Sequence, residues 1–219
     1  MRSAYAACLA ILLAPPAAGG AWLETPGHGF ASASAIYRQT DSGAQQELRY
    51  YGAYGITPKL TLGVDLNQAG KLSGHALVFA RLPLHEGARY RLAAETAIGG
   101  NKYHGQWLMM QRATLSYGRG FATGKASGWL AIDAAYELRN SGLDRAWKLD
   151  ATLGLNRPGK PAPMLQVETS KPEGGSFSYT LTPSLRVPLV SGRELVMGLE
   201  HRNAVQSSLG LKLGLWQKF

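Results

Sequence analysis

From Gly29 to Phe219 the chain alternates apolar and polar residues with period two, and turn residues interrupt it at short intervals. In 59–67, Leu60, Leu62, Val64 and Leu66 oppose Thr61, Gly63, Asp65 and Asn67. In 128–139, Leu130, Ile132, Ala134, Tyr136 and Leu138 oppose Ala131, Asp133, Ala135, Glu137 and Arg139. Segments 147–156 and 177–187 repeat the pattern, with Leu149, Leu153, Leu181 and Leu185 on one side and Lys148, Asp150, Thr180 and Arg186 on the other. Such spacing excludes amphipathic helices, because residues three or four apart mix apolar with charged. It predicts half-exposed β-strands.

About twelve strands follow, near 29–38, 46–56, 59–67, 74–82, 89–98, 106–118, 127–139, 146–156, 163–171, 176–187, 193–203 and 205–219. Turn residues such as Thr57-Pro58, Pro83 to Gly87, Arg157-Pro158-Gly159 and Pro172 to Gly175 separate them. Connections this short predict a meander of adjacent antiparallel hairpins in a single domain, 22–219.

Residues 1–21 read as a cleaved leader. Arg2 supplies a basic start, Ala4 to Ala14 an apolar run of eleven residues, and Ala17, Ala18, Gly19, Gly20 and Ala21 a small-residue cleavage region. The run is too short for a membrane helix, which needs roughly 20 residues. Cleavage is expected after Gly19 or Ala21. It removes Cys8, the single cysteine, so the mature chain carries neither disulfide nor thiolate metal site. Export argues against nucleic acid as the partner of this basic chain, whose formal charge is +9. Attraction to anionic lipid headgroups accounts for such a charge equally well.

Alternating strands ordinarily bury their apolar face against a second sheet, as in a soluble sandwich. Three features point elsewhere. Nearly every strand has an apolar face, and the opposite face carries charges of both signs. Aromatics gather near strand ends, at Tyr37, Tyr54, Tyr90, Trp107, Tyr117, Trp129, Trp147, Tyr179 and Phe219, as in the girdles of membrane barrels. Finally, the chain ends on an alternating strand closing at an aromatic. That segment, with Leu211, Leu213, Leu215 and Phe219, resembles the terminal signal of Gram-negative outer-membrane β-barrel proteins. Gln217 departs from the alternation. The resemblance implies a closed, up-and-down transmembrane β-barrel in the outer membrane, with that strand recognised by the barrel-assembly machinery. Closure agrees with the physics of hydrocarbon, where every backbone N–H and C=O needs a partner.

In such a barrel the polar face lines the lumen. Arg49, Asp65, Arg81, Arg91, Glu95, Arg112, Asp133, Lys148, Asp150, Glu168, Arg186, Glu200 and Lys212 are therefore expected inside, since Arg or Lys facing lipid at mid-depth costs about 2–4 kcal/mol. They form either a structural ladder of opposite charges or the wall of a pore that biases which solute passes. The expected protein is a monomeric passive channel for small hydrophilic solutes, anionic ones included, with membrane lipid around it. The competing readings are a lumen-filled structural barrel and a lipid hydrolase. Outer-membrane lipid hydrolases pair His with Ser as His-x-Ser on one strand; the nearest match, His201-Arg202-Asn203, lacks the nucleophile. No metal-ligand spacing or nucleotide fingerprint is present, so no cofactor is expected.

Overall fold

The computed structural model describes residues 20–40, 43–124, 126–190, 192–204 and 207–219. The leader predicted over 1–21 therefore lies, up to residue 19, outside the described residues.

Twelve strands run in chain order: β1 (Gly29–Thr40), β2 (Gly43–Thr57), β3 (Leu60–Ala69), β4 (Ser73–Glu86), β5 (Arg91–Tyr103) and β6 (Gln106–Thr123), then β7 (Ala126–Arg139), β8 (Asp144–Asn156), β9 (Ala162–Pro172), β10 (Ser178–Pro188), β11 (Arg193–Asn203) and β12 (Ser207–Lys218). Each pairs antiparallel with its neighbours in sequence, and β12 returns to pair with β1, closing the sheet into a barrel. Every strand reaches the 9–11 residues that a tilted crossing of hydrocarbon requires. The closing seam is tied at its end by Gly29 and Phe219, whose N–H groups each donate to the other's carbonyl, at 2.7 and 3.0 Å. An even strand number puts both chain ends at one rim, here called the inner rim.

The exterior is leucine-rich. Leu62, Leu66, Leu149, Leu153, Leu209, Leu211 and Leu213 all stand exposed on it. A continuous apolar surface of this kind is an aggregation hazard in water and is at home in lipid. Two aromatic girdles bound it: Tyr37, Trp107 and Trp147 toward the outer rim, Tyr54, Tyr90 and Phe219 toward the inner. The exterior and the closed wall are those of a barrel that spans a lipid bilayer.

Trp129 is not part of a girdle. It is buried inside the barrel, because it shares the inward phase of Ala131 and Asp133 on β7. Bare Gly154 on β8 makes room for the indole: a Cβ there would lie 2.6 Å from the ring. The turn expected from Pro83 is also displaced. β4 continues to Glu86, with a register shift between Pro83 and His85 that absorbs the missing proline N–H. His85 is thus a strand residue.

Candidate functional site

The inward charges assemble into connected networks. Arg38 of β1 binds Glu47 of β2 at 2.6 Å and also binds Glu200 of β11. Glu47 accepts in addition from Arg49 Nε at 2.5 Å and from Asn67 Nδ2 at 2.6 Å. Arg49 Nη1 then reaches both carboxylate oxygens of Glu168 on β9, at 2.7 and 2.9 Å. β2 and β9 lie five strands apart by the shorter way round the wall, so this contact is a strut across the lumen. A second group joins Arg112 to Asp65 at 2.6 Å and to Glu95 at 3.3 Å. Arg81 donates to the other oxygen of Glu95 at 2.6 Å and to the Tyr51 hydroxyl at 2.7 Å. A third places Lys148 Nζ 3.8 Å from both Glu137 and Asp150, with Arg139 also on Glu137. Lys212 Nζ donates to Gln166 Oε1 at 2.8 Å. Buried charges hold their place only when paired and hydrogen-bonded.

Toward the inner rim the lumen is stoppered by the segment that precedes β1. Ala21 and Trp22 are buried against Trp129, Ala131, Met164 and Val196, with Trp216 beside them. The Trp22 and Trp129 rings meet edge to face at 6.4 Å. Gly118 on β6 leaves the space the Trp22 ring fills, since a Cβ there would stand 2.6 Å from it. The segment is also tied by its backbone. Arg81 Nη1 donates to the Trp22 carbonyl at 3.3 Å, and Glu24 N–H donates to Thr61 Oγ1 at 2.9 Å. Gly27 N–H donates to the Gly55 carbonyl, and Gly55 N–H to that of His28, each at 3.0 Å.

Above this stopper lies a polar cavity of about 640 Å³, which reaches the outer rim at Ser73, Gly74, Ser170, Pro172 and Arg202. Its floor is set by Gly20, Phe30, Ala131, Val196 and Trp216. The wall carries seven cations (Arg49, Arg81, Arg112, Arg139, Lys148, Arg202 and Lys212) and seven acids (Glu47, Asp65, Glu95, Asp133, Glu137, Asp150 and Glu168).

Ten of the thirteen lumen residues expected from the alternation therefore line this cavity. Arg91 starts β5 at the inner rim and does not. Arg186 is buried below the cavity, bonded to Glu194 at 3.0 Å and to the Leu155 carbonyl at 2.6 Å, its guanidinium over Trp216. Glu200 is sequestered by Arg38. Arg202 lines the cavity, so the period-two alternation puts His201 and Asn203 on the outer face. Leu211, Leu213 and Leu215 sit on the lipid face of β12. Arg38 and the stopper were absent from the sequence-based site. Arg38 had a signal: it is an isolated cation in a strand whose Ala33, Ala35 and Tyr37 face out while Phe30 and Ile36 face in, and the lipid-cost argument that placed the others inside places it there too.

No protein-family model matches the chain, and no curated protein matches it in sequence. Solved structures match it in fold. The KdgM porin in complex with disordered oligogalacturonate superposes with a TM-score of 0.60 at 11% identity, covering 86% of this chain and 99% of that one. The NanC porin gives 0.62 at 9% identity, with 84% and 98% covered. An outer membrane channel from Pseudomonas putida F1 gives 0.54 at 15% identity, with 94% and 100% covered. The chain thus shares the closed twelve-stranded β-barrel fold of these porins and channels.

Proposed function

We propose that the protein is a narrow outer-membrane channel, working as a monomer, for small hydrophilic solutes of low net charge. The observation that carries this reading is the polar cavity open at the outer rim. It is lined by seven acids and seven cations, of which six acids and five cations are tied to one another. A wall so balanced attracts neither anions nor cations strongly, and offers hydrogen-bonding groups to hydroxyl-rich or zwitterionic molecules. The neighbouring folds named above include porins, one of them seen with an oligogalacturonate, and that favours transport as the class of function. This wall differs from a cationic one in having an acid within ion-pair distance of Arg49, Arg81, Arg112, Arg139 and Lys148.

The strut and the stopper favour a second reading, a filled barrel with a structural role. Single-channel recording in planar bilayers separates the two. The channel reading expects small, resolved conductance steps with a reversal potential near zero in a salt gradient. It also expects larger steps for Arg49→Ala, which removes the strut, and for Trp22→Ala, which removes the stopper's anchor. Silence from the wild type and from both variants would leave the filled barrel.

A further inference from the structure

Asp133 forms no direct ion pair among the described residues, although Arg81 and Arg112 lie near enough to act on it electrostatically. Its Oδ1 is buried without a hydrogen-bond partner, and no side-chain cation among the described residues lies within ion-pair distance of it. Its position is worse than neutral, because Asp150 stands directly opposite it on β8. Like charges facing each other across a strand pair are destabilising. Lys148 is taken up by Glu137 and Asp150. Arg81 is taken up by Glu95, Tyr51 and the Trp22 carbonyl. Asp133 as a whole is half-buried and lines the cavity, so its unpaired oxygen offers an acceptor to a cation placed there.

What stands against it is the backbone of Gly20. A Cβ on Gly20 would lie 2.4 Å from Asp133 Oδ1 and 2.3 Å from Ser116 Oγ, so the glycine backbone passes close beside both side chains. Gly20 is also the first residue after one of the two cleavage points expected for the leader. Hydrolysis of the Gly19–Gly20 amide consumes one water. Gly19 departs with the new carboxylate, and Gly20 keeps the nitrogen, which takes up protons to become an ammonium.

We propose that leader cleavage after Gly19 creates the missing cation: the α-ammonium of Gly20 is bound inside the lumen by the Asp133 carboxylate, latching the stopper in place. The inference rests on residues 1–19 being a cleaved leader, and is independent of whether the barrel conducts. In an uncut chain the same nitrogen is an uncharged amide, so cleavage adds a charge to a stopper that its other contacts already seat. The geometry also selects between the two cleavage points. A chain beginning at Trp22 would lack Gly20 and so place no backbone nitrogen of the stopper near Asp133.

The test uses protein matured from its own leader and purified from outer membranes. N-terminal sequencing is expected to begin at Gly20; a start at Trp22 overturns the proposal. The folded protein is then treated with formaldehyde and cyanoborohydride, which methylate only unprotonated amines, and the N-terminal peptide is followed by mass spectrometry. A carboxylate partner that holds the ammonium by one pKa unit slows this reaction on the order of tenfold. Asp133→Asn is expected to label faster by about that factor, and equal rates overturn the proposal. A second form keeps the test open should that variant fail to fold. It is refolded protein with one extra alanine ahead of Gly20, which shifts the amine off Asp133. It is expected to label at the unprotected rate, and protection in this form also overturns the latch.

Discussion

Arg38 and Glu200 form their ion pair over Gly210, across the strand that closes the barrel. Gly210 is the cross-strand partner of both, of Arg38 on β1 and of Glu200 on β11. A Cβ on Gly210 would meet Arg38 Cγ at 2.9 Å, so the bare glycine is what lets the guanidinium lie across β12. Both charged groups are about 1–2% exposed. Breaking a buried pair leaves one charge uncompensated, at a cost of about 3–5 kcal/mol. Glu200→Gln, with Glu47 still on Arg38, is expected at the low end, about 3 kcal/mol. Urea titration of the barrel in lipid vesicles, followed by tryptophan fluorescence, measures it. A midpoint equal to the wild type's would show that the seam is not held by this pair.

The cavity wall and the buried ladder below it make opposite predictions for two arginines that look alike in sequence. Arg112 lines the cavity between Asp65 and Glu95. Arg112→Glu exchanges a cation for a third acid there and is expected to shift the reversal potential toward cation selectivity. Arg186 is bonded to Glu194 and a carbonyl beneath the floor. Arg186→Glu is expected to lower barrel stability, since it leaves two acids together, while the selectivity of whatever barrel forms stays unchanged. A selectivity shift for Arg186→Glu, or none for Arg112→Glu, would displace the floor from where these contacts put it.

How far the chain betrays its fold depends on which residues are asked. Alternation as clean as that of Leu60 to Asn67 leaves no choice of face, because a charge such as Asp65 cannot face hydrocarbon. β4 is different. Ala76-Leu77-Val78-Phe79-Ala80 is apolar throughout, so nothing in it says that Leu77 and Phe79 turn inward, where they pack with Ala53, Ala97 and Met110 beside Tyr51. Trp129 misleads for a related reason: an aromatic near a strand end suits a girdle and a lumen plug equally well. The Arg49–Glu168 strut was beyond sequence because the two residues are 119 apart, and which charges meet across a lumen depends on barrel shear and not on local pattern. The stopper precedes the first alternating segment, and its few residues carry no periodicity to read.

Glu24 gives the stopper a pH dependence. Burial in the inner mouth raises its carboxyl above the ordinary value near 4.5, opposed in part by Lys218 and Arg81. The seated segment therefore holds the proton more tightly than the released one. Its docking is strongest below pH 4.5 and weakens as the pH rises through the raised value. Conductance through the inner mouth is accordingly expected to increase over that window as acid is withdrawn. Glu24→Gln, which keeps the neutral form at every pH, should flatten this dependence at the low-conductance end. An identical pH profile in the variant would remove Glu24 from the account.

Phe219 joins the last strand to the first. Its backbone exchanges two hydrogen bonds with Gly29, and its ring lies over that glycine, where a Cβ would come within 2.5 Å. The contact joins residues from the two ends of the barrel sequence and is made only when the cylinder closes. The same residue ends the segment that resembles the outer-membrane assembly signal. The two roles are separable. Gly29→Val obstructs the ring while leaving the terminal segment intact, and should weaken closure of barrels refolded in detergent as well as those made in cells. Phe219→Ala should harm both routes if the aromatic matters through the seam alone. If recognition by the assembly machinery is its larger role, the loss should be far greater in cells. The fraction of unboiled protein that migrates as the compact form on a denaturing gel, measured from outer membranes and from refolding reactions, reads both. Full yield of Phe219→Ala in cells would sink the assembly role.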